Sequence, residues 1–203
     1  LAENAYRDVN IAFANELSGI ADAFGVDGRE VIMLANQHPR VNILRPGIGV
    51  GGHCIAVDPW FIVSADPENA KLIETAREVN DYQPTKTVGK IVKYIEEKLP
   101  QKIYLFGLSF KPNVGDVRES PAVNISASLI LEFPEVQFVL VDPHISEVGL
   151  GLPKTQNWTF TSSIPSLGKG DSVICLVAHD AFHDELASIE VSPGFMDLAG
   201  IFS

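Results

Sequence analysis

The sequence predicts an α/β protein in two parts, an all-helical part over residues 1–99 and a parallel-sheet part over residues 100–203. Apolar residues recur at helical spacing through most of the first part. From Pro100 onward, short apolar runs alternate with helical segments, which is typical of a parallel sheet with helices on both faces. We therefore expect a boundary between two domains at residues 99 and 100.

The first two helices are expected on either side of Gly25, a residue suited to end a helix. Asp27 can cap the second of them, which would run through Leu34, because its side chain can accept from the first N–H groups of a helix. The apolar pattern of the first helix consists of Val9, Ala12, Phe13, Leu17, Ile20, Ala21 and Phe24.

A glycine-rich segment follows at residues 45–59, R-P-G-I-G-V-G-G-H-C-I-A-V-D-P. Glycines leave the backbone bare, so a ligand can approach it closely, and the thiol of Cys54 could attack that ligand. Asp58 lies four residues later, which is one turn if the chain is helical there. This combination predicts chemistry on an anionic substrate.

Simpler interpretations of the same segment are also open. Its glycines satisfy G-x-G-x-x-G, but Arg45 and Pro46 interrupt the strand that a dinucleotide fingerprint requires, so we reject that interpretation. Asp58 and Pro59 could begin a helix as its cap and first residue. Cys54 could be an inert buried thiol.

Two further helices complete the first part. A short helix is expected from about Asp58, with Trp60 and Phe61 in the core. A long helix is expected in two pieces, over residues 70–80 and 85–99, because Pro84 lacks the N–H that would continue it. The second piece has one apolar stripe, formed by Val88, Ile91, Val92 and Ile95.

The second part is expected to contain strands at 102–107, 136–141, 172–177 and 195–198, and helices at 122–131 and 181–187. Ligands of such sheets bind at the carboxyl ends of the strands. The loop after the first strand, S-F-K-P-N-V-G-D-V-R-E-S-P, carries Lys111 and Arg118 and is a candidate binding loop. The alternative is a solvated loop with two ordinary surface charges.

Composition excludes several classes. A net charge of −11 argues against general nucleic-acid binding, and no apolar run is long enough to span a membrane. The two cysteines, Cys54 and Cys175, do not make a disulfide framework, so we expect a cytoplasmic protein with Cys175 in its core. The chain begins with Leu1 inside a helical pattern, so we expect a piece of a longer protein.

Three motifs carry a family resemblance: E-N-A-Y-R-D-V-N-I-A-F-A-N-E-L, G-V-G-G-H-C-I-A-V-D-P and F-G-L-S-F-K-P-N-V-G-D-V-R-E-S-P. Together they resemble the nucleotide-sugar 6-dehydrogenases of the UDP-glucose/GDP-mannose dehydrogenase family, which oxidise a sugar C6 alcohol to a carboxylate with two NAD⁺. Within the family, H-P-R-V-N-I-L, C-I-A-V-D-P-W-F-I-V and T-A-R-E-V-N-D resemble the members that oxidise UDP-N-acetyl-D-mannosamine, and a UDP-glucose type is the alternative.

The resemblance implies a three-part architecture, of which this chain matches the last two parts. A central helical domain would form the homodimer, and a C-terminal Rossmann-like domain would bind the UDP-sugar. The NAD-binding domain, and a family lysine placed just before Leu1, are absent from this sequence. NAD would accordingly be bound mainly by that domain.

The resemblance also implies roles for individual residues. Cys54 would be the nucleophile, Asp58 would act as base or orient the hydrolytic water, and Asn4 would bind the substrate near C6. Arg118 would reach NAD, and no metal is implied. Substrate-binding positions would be Arg40, Arg45, Gly47, Gly49, Gly51, Phe110 and Lys111. An arginine that the family often places after the last strand is not evident in D-L-A-G-I-F-S.

Two other functions are weighed against this one. The chain could be a non-catalytic module that dimerises and binds a nucleotide sugar, in which case Cys54 would be dispensable. It could be a cysteine hydrolase that uses His53, although adjacent residues rarely point at each other. His179 and His183 lie four apart on an expected helix and could share a metal, but no third ligand is visible and a structural or surface role is favoured.

Overall fold

The computed structural model describes residues 1–146, 149–168, 170–190 and 192–202. The chain forms two compact units, Leu1–Gln83 and Pro84–Phe202, and the division falls inside helix α4, Lys71–Lys98. An α/β protein with a helical portion followed by a parallel sheet is therefore confirmed. The expected domain boundary at residues 99 and 100 stays a prediction.

The first unit begins with helices α1, Ala2–Ala23, and α2, Gly28–Ala35. Gly25 follows α1 with φ of +71°, a left-handed conformation that suits glycine. Asp27 caps α2 by accepting a hydrogen bond of 2.8 Å from the N–H of Arg29. Both predicted helix boundaries are therefore confirmed.

Helix α3, Cys54–Ala65, corrects two predictions. It begins at Cys54, so Asp58 is not its N-cap and Pro59 lies inside it. Trp60 and Phe61 are 39% and 60% exposed, so their placement in the core is wrong. Apolar residues cover all sides of this short helix, and only some of them can face the interior.

Helix α4 is continuous through Pro84, so its predicted division into two pieces is also wrong. An interior proline costs a helix about 3 kcal/mol. The turns that follow bury Ile91 and Ile95 almost completely, which contributes about 1.5–3 kcal/mol for each side chain. That burial offsets the cost of the proline.

The second unit contains a five-stranded parallel sheet in the order β3-β2-β1-β4-β5. Helix α5, Pro121–Glu132, follows β1, and a 3₁₀ turn at Asp180–Phe182 precedes α6, His183–Ala187. The sequence did not predict β3, which lies at the edge of the sheet and is only partly buried. The strands are β1, Lys102–Phe106; β2, Gln137–Val141; β3, Trp158–Thr161; β4, Ser172–Cys175; and β5, Phe195–Asp197.

The core of this unit lies on β1, β2 and β4, where Phe106 and Cys175 are fully buried, as predicted for Cys175. Gly107 ends β1 with φ of +86°, and a Cβ there would lie 2.5 Å from the carbonyl oxygen of Val177. The strand order reverses between β1 and β4, and ligands of such sheets bind at this switch point. The loop after β1 therefore starts at the position where a ligand is expected.

In the described part of the chain, no helix combines the length and apolar character required to cross a membrane.

Candidate functional site

Cys54 is the first residue of α3 and is exposed to solvent. An irregular segment leads into it, and in that segment Gly49 and Gly52 have φ of +142° and +81°, a region that side chains disfavour. The N-terminal end of a helix stabilises a nearby negative charge. The thiol is thus accessible at the N-terminal end of a helix, so the alternative of an inert buried thiol is wrong.

Asp58 lies one turn after Cys54 on the same helix. Its Oδ2 accepts a hydrogen bond of 2.6 Å from the Nδ2 of Asn4, which lies in the first turn of α1. The side chain of Asp58 is 23% exposed, so solvent still reaches the carboxylate. The structure thus brings Asn4 to the helix that carries Cys54 and Asp58.

The first glycine of the loop is held by two helices. The N–H of Gly47 donates to Oδ1 of Asn15 on α1 at 2.8 Å, and its carbonyl oxygen accepts from Nε2 of Gln83 on α4 at 3.0 Å. Both polar backbone groups of Gly47 therefore have side-chain partners. These bonds fix the start of the loop that ends at Cys54.

A buried ion pair supports the same region. Arg77 of α4 and Asp8 of α1 are fully buried, and Nη1 of Arg77 donates to Oδ1 of Asp8. Nδ2 of Asn80 donates to the same oxygen at 2.9 Å, and Asn15 donates to Oδ1 of Asn80 at 3.1 Å. Burial raises the pKa of Asp8, whereas the Arg77 guanidinium and the Asn80 amide oppose that rise.

Arg77 also reaches the first turn of α3. Its Nη1 lies 3.3 Å from the carbonyl oxygen of Ile55. In a regular helix that oxygen would accept from the N–H of the residue four positions later, but that residue is Pro59, which has no N–H. Arg77 replaces the missing donor, directly beside Cys54.

Arg40 and Arg45 are both exposed. Arg40 lies in a turn closed by Asn36, whose side chain donates to the carbonyl oxygen of Ile43 at 2.9 Å and accepts from its N–H at 2.7 Å. Arg45 precedes the glycines. Both cations are therefore available to a ligand, while the structure forms no direct bond between them and Cys54 among the described residues.

In the second unit, Asp142 follows β2 and is fully buried. Its Oδ2 accepts from the N–H of Leu108 at 2.8 Å and from the N–H and hydroxyl of Ser109 at 3.1 and 2.9 Å. Burial acts to raise the pKa of Asp142, but hydrogen bonds, chiefly from His179 and the Leu108 N–H, outweigh it and hold the pKa at about 2. This carboxylate anchors the start of the segment 107–120, which we call the β1 loop.

The β1 loop displays the predicted ligand-binding side chains. Phe110 is half-buried, Lys111 is exposed, and the Lys111 ammonium lies 5.5 Å from the Phe110 ring centre. Arg118 is 74% exposed and forms an ion pair of 2.6 Å with Asp116, and hydrogen bonds from Arg118 lower the pKa of Asp116 to about 2. An aromatic face and a cation side by side suit a base or sugar ring next to a phosphate.

The histidines are placed differently from expectation. His179 precedes the 3₁₀ turn and is fully buried, so it does not share a helix with His183, which is 58% exposed. His53 is exposed, and no hydrogen bond joins it to Cys54 within the residues that the structure describes. Those residues also contain no group of three His, Cys, Asp or Glu side chains arranged to hold a metal ion.

Sequence reasoning missed the buried polar residues behind both segments. Arg77 and Asn80 lie three positions apart in T-A-R-E-V-N-D, a spacing that puts them on one helix face. Asp142 follows an apolar strand, at the end where parallel sheets bind ligands. Those two signals, polar residues at helical spacing and an aspartate at a strand end, could have identified them.

Residues 1–82 match the central domain of the UDP-glucose/GDP-mannose dehydrogenase family, and residues 104–202 match its UDP binding domain. The chain is 50% identical over 182 residues to a UDP-N-acetyl-D-mannosamine dehydrogenase of Campylobacter jejuni, covering 90% of this chain and 44% of that protein. It is also 50% identical over 183 residues to an NDP-N-acetyl-D-galactosaminuronic acid dehydrogenase of Ralstonia solanacearum, covering 90% of this chain and 42% of that protein. A solved UDP-N-acetyl-mannosamine dehydrogenase, Cap5O from S. aureus, matches with a TM-score of 0.79 and 39% identity over 99% of this chain and 46% of that one. The chain thus spans less than half the length of these relatives.

Proposed function

Because this chain belongs to the UDP-glucose/GDP-mannose dehydrogenase family, we propose that it supplies the catalytic-cysteine and nucleotide-sugar-binding parts of a UDP-N-acetyl-D-mannosamine 6-dehydrogenase. The observation that carries the proposal is the exposed Cys54 at the start of α3, one turn before an aspartate bonded to Asn4. We further propose that the enzyme acts in the cytoplasm, where a reducing environment keeps Cys54 a thiol.

Cys54 is proposed as the nucleophile. After the C6 alcohol is oxidised to an aldehyde, the thiolate adds to the carbonyl carbon and a thiohemiacetal forms. Loss of a second hydride from that carbon gives a thioester on Cys54, and water then releases the carboxylate. A covalent bond to the sulfur keeps the aldehyde from escaping between the two oxidations.

Asp58 and Asn4 are proposed to act on oxygen atoms in these reaction steps, namely those of the attacking water and of the former C6. The Asp58 carboxylate can take a proton from the water that attacks the thioester, because it is partly exposed and lies one turn from Cys54. The Asn4 amide is a donor suited to an oxyanion on the former C6. Its bond to Asp58 keeps that amide on the same helix face as the reacting sulfur.

Two sets of residues, one in each unit, are proposed to bind the nucleotide sugar. Gly47, Gly49 and Gly51 would let the ligand approach the backbone, and Arg40 and Arg45 would supply cations, Arg40 to the substrate of the neighbouring subunit. Phe110 and Lys111 of the β1 loop would contact the nucleotide part. Their ring and ammonium suit a uridine diphosphate, which has an aromatic base and two phosphates.

The cofactor is proposed to be NAD, held mainly by residues outside this chain, since the relatives are more than twice as long as the matched part. When bound, NAD⁺ accepts the hydride in both oxidations. Arg118 fits the group, because its guanidinium is exposed and can pair with a pyrophosphate as it now pairs with Asp116. The contribution of this chain to NAD binding would therefore be the guanidinium of Arg118.

We also propose a homodimer formed through α1. Large apolar side chains recur along this helix at Tyr6, Phe13 and Ile20, seven residues apart, and Phe24 continues the same face. They are 70%, 53%, 56% and 80% exposed. A continuous apolar face on a helix suits a two-fold interface between identical chains.

The proposal is tested with the full-length protein, UDP-N-acetyl-D-mannosamine and NAD⁺. We expect two NADH for each uronate formed, and no uronate from the Cys54→Ser variant. Cys175→Ser serves as a control that alters only a buried thiol of the second unit. Uronate formation by Cys54→Ser at the wild-type rate would refute the mechanism. Faster oxidation of UDP-glucose than of UDP-N-acetyl-D-mannosamine would show that UDP-glucose is the preferred substrate.

A further inference from the structure

His179 is a fully buried histidine whose protonation state the geometry fixes. Its Nδ1 lies 2.8 Å from the backbone nitrogen of Asn113. A backbone N–H can only donate, so Nδ1 accepts and carries no proton. Nε2 lies 3.0 Å from Oδ2 of Asp142, and a carboxylate only accepts, so Nε2 carries the proton. His179 is thus a neutral imidazole that donates to Asp142 and accepts from Asn113.

Asn113 is the residue that this imidazole holds. It lies in the β1 loop with φ of +59°, in the left-handed region that asparagine tolerates better than most residues. Its Oδ1 accepts a hydrogen bond of 3.0 Å from the N–H of Asp180. Two bonds therefore tie Asn113 to residues 179–180, which follow β4.

The β1 loop is fixed on its other side as well. Oδ2 of Asp142 accepts from the N–H groups of Leu108 and Ser109, and the N–H of Phe110 donates to the carbonyl oxygen of Asp116 at 2.9 Å. The turn that carries Phe110 and Lys111 is thus held at its start by Asp142 and at Asn113 by His179. Because His179 is itself bonded to Asp142, one buried pair sets both ends of the turn.

We infer that His179 is a positioning residue for nucleotide binding: Nδ1 of its neutral imidazole accepts from Asn113 and thereby holds the Phe110–Lys111 turn ready for a uridine diphosphate group, whereas the bond to Asp142 sets the tautomer. The ligand in this inference rests on the proposed function. The tautomer and the order of the turn do not rest on it. A turn ordered before binding loses less conformational entropy when the ligand arrives, which raises affinity.

Two substitutions separate the bonds of His179. In His179→Asn, the amide oxygen stands near the position of Nδ1 and can accept from Asn113, whereas the bond to Asp142 is lost. In His179→Gln, the amide nitrogen reaches the position of Nε2 and donates to Asp142, whereas the acceptor for Asn113 is lost. Each variant loses one hydrogen bond of a buried pair, so a merely structural role predicts similar effects for both. His183→Gln is a control at an exposed histidine.

The test measures UDP affinity by calorimetry on the full-length protein and its variants, and thermal unfolding of each. We expect His179→Gln to weaken UDP binding about tenfold, and His179→Asn and His183→Gln to stay within about threefold of wild type, since one lost hydrogen bond is worth up to about a tenfold change. Equal losses in both His179 variants, or losses that follow their unfolding temperatures, would overturn the inference.

A second measurement does not use the ligand. The ¹⁵N spectrum of the His179 ring should show a proton on Nε2 and none on Nδ1, and His179→Gln should speed amide exchange at Asn113 more than His179→Asn does. A protonated Nδ1, or unchanged exchange in His179→Gln, would overturn the positioning role. If the wild type binds no UDP, the proposed function fails, whereas this measurement still decides whether His179 orders the turn.

Discussion

Nδ2 of Asn4 donates a 2.6 Å hydrogen bond to Oδ2 of Asp58 across 54 positions of the sequence. The bond joins the first turn of α1 to the second turn of α3, the helix on which Cys54 is the first residue. It therefore links the proposed oxyanion donor, the proposed base and, through the helix, the proposed nucleophile. The family motifs named these three residues individually, and the fold brings two of them into direct contact.

Asp58→Asn should block the last step of the reaction. The amide keeps the shape of the side chain but cannot take a proton from water, so the thioester on Cys54 should accumulate and uronate formation should slow about 10²- to 10⁴-fold. Intact-protein mass spectrometry would detect the acylated chain, alongside steady-state rates. The matched control is Asp66→Asn at the end of the same helix. A normal rate with no acylated protein would contradict the assignment of Asp58 as base.

Arg77→Met should destabilise the first unit by about 3–5 kcal/mol, because it leaves the buried carboxylate of Asp8 unpaired. Urea unfolding followed by Trp60 fluorescence, in a Trp158→Phe background, reports this unit. Lys71→Met removes an exposed ion pair with Glu74 and should cost less than about 1 kcal/mol. Equal losses of unfolding free energy in Arg77→Met and Lys71→Met would show that the buried ion pair matters no more than the exposed one.

Combining Arg77→Met with Pro59→Ala distinguishes the hydrogen bond of Arg77 to Ile55 from its ion pair with Asp8. Pro59→Ala restores an N–H that can donate to the carbonyl oxygen of Ile55, which Arg77 otherwise serves. In the Arg77→Met background, Pro59→Ala should therefore recover part of the lost stability, and in the wild type it should gain less. A gain of the same size in both backgrounds would mean that Arg77 does not replace the missing donor of Pro59.

The sequence predicted those features that depend on local pattern. The cap at Asp27, the stop at Gly25 and the strands rich in apolar residues follow from propensity and periodicity, and the structure confirms them. The start of α3 and the continuity of α4 were predicted wrongly, because tertiary contacts let both helices include a proline. Arg77 supplies the donor that Pro59 lacks, and the burial of Ile91 and Ile95 offsets the cost of Pro84. Partners such as Asn4 and Asp58 are distant in sequence, so only the fold can bring them together.

The pKa of Asp142 predicts how the second unit responds to acid. Burial acts to raise that pKa, but hydrogen bonds, chiefly from His179 and the Leu108 N–H, hold it at about 2, below the ordinary 3.8. The folded state thus favours the ionised carboxylate of Asp142. This preference contributes about 2 kcal/mol to the free energy of unfolding above pH 3.8, and the contribution is lost as the pH falls through 2.

Asp142→Asn should remove that pH dependence. The free energy of unfolding of the second unit can be measured in urea by Trp158 fluorescence in a Trp60→Phe background. The difference in this free energy between wild type and variant should shrink as the pH drops from 5 toward 2. Asp116→Asn is the control, because the pKa of that partly exposed aspartate is also about 2 while its partner Arg118 is open to solvent. A difference in unfolding free energy that stays constant with pH would contradict a charged Asp142 in the folded protein.

The exposed apolar face of α1 predicts the oligomeric state. Phe13 is 53% exposed in the middle of this face, and an aspartate there would place a charge in the proposed two-fold interface, where symmetry brings the two copies of the helix together. Phe13→Asp should therefore yield monomers at micromolar concentration in sedimentation velocity, whereas the wild type should sediment as a dimer. Asp22→Ala, two positions from Ile20 and thus pointing away from the face, should leave the dimer intact. Since an exposed phenylalanine contributes little to the fold of a single chain, the unfolding temperature of the Phe13→Asp monomer separates loss of the interface from loss of the fold. A wild-type monomer, or a Phe13→Asp dimer, would exclude this face as the interface.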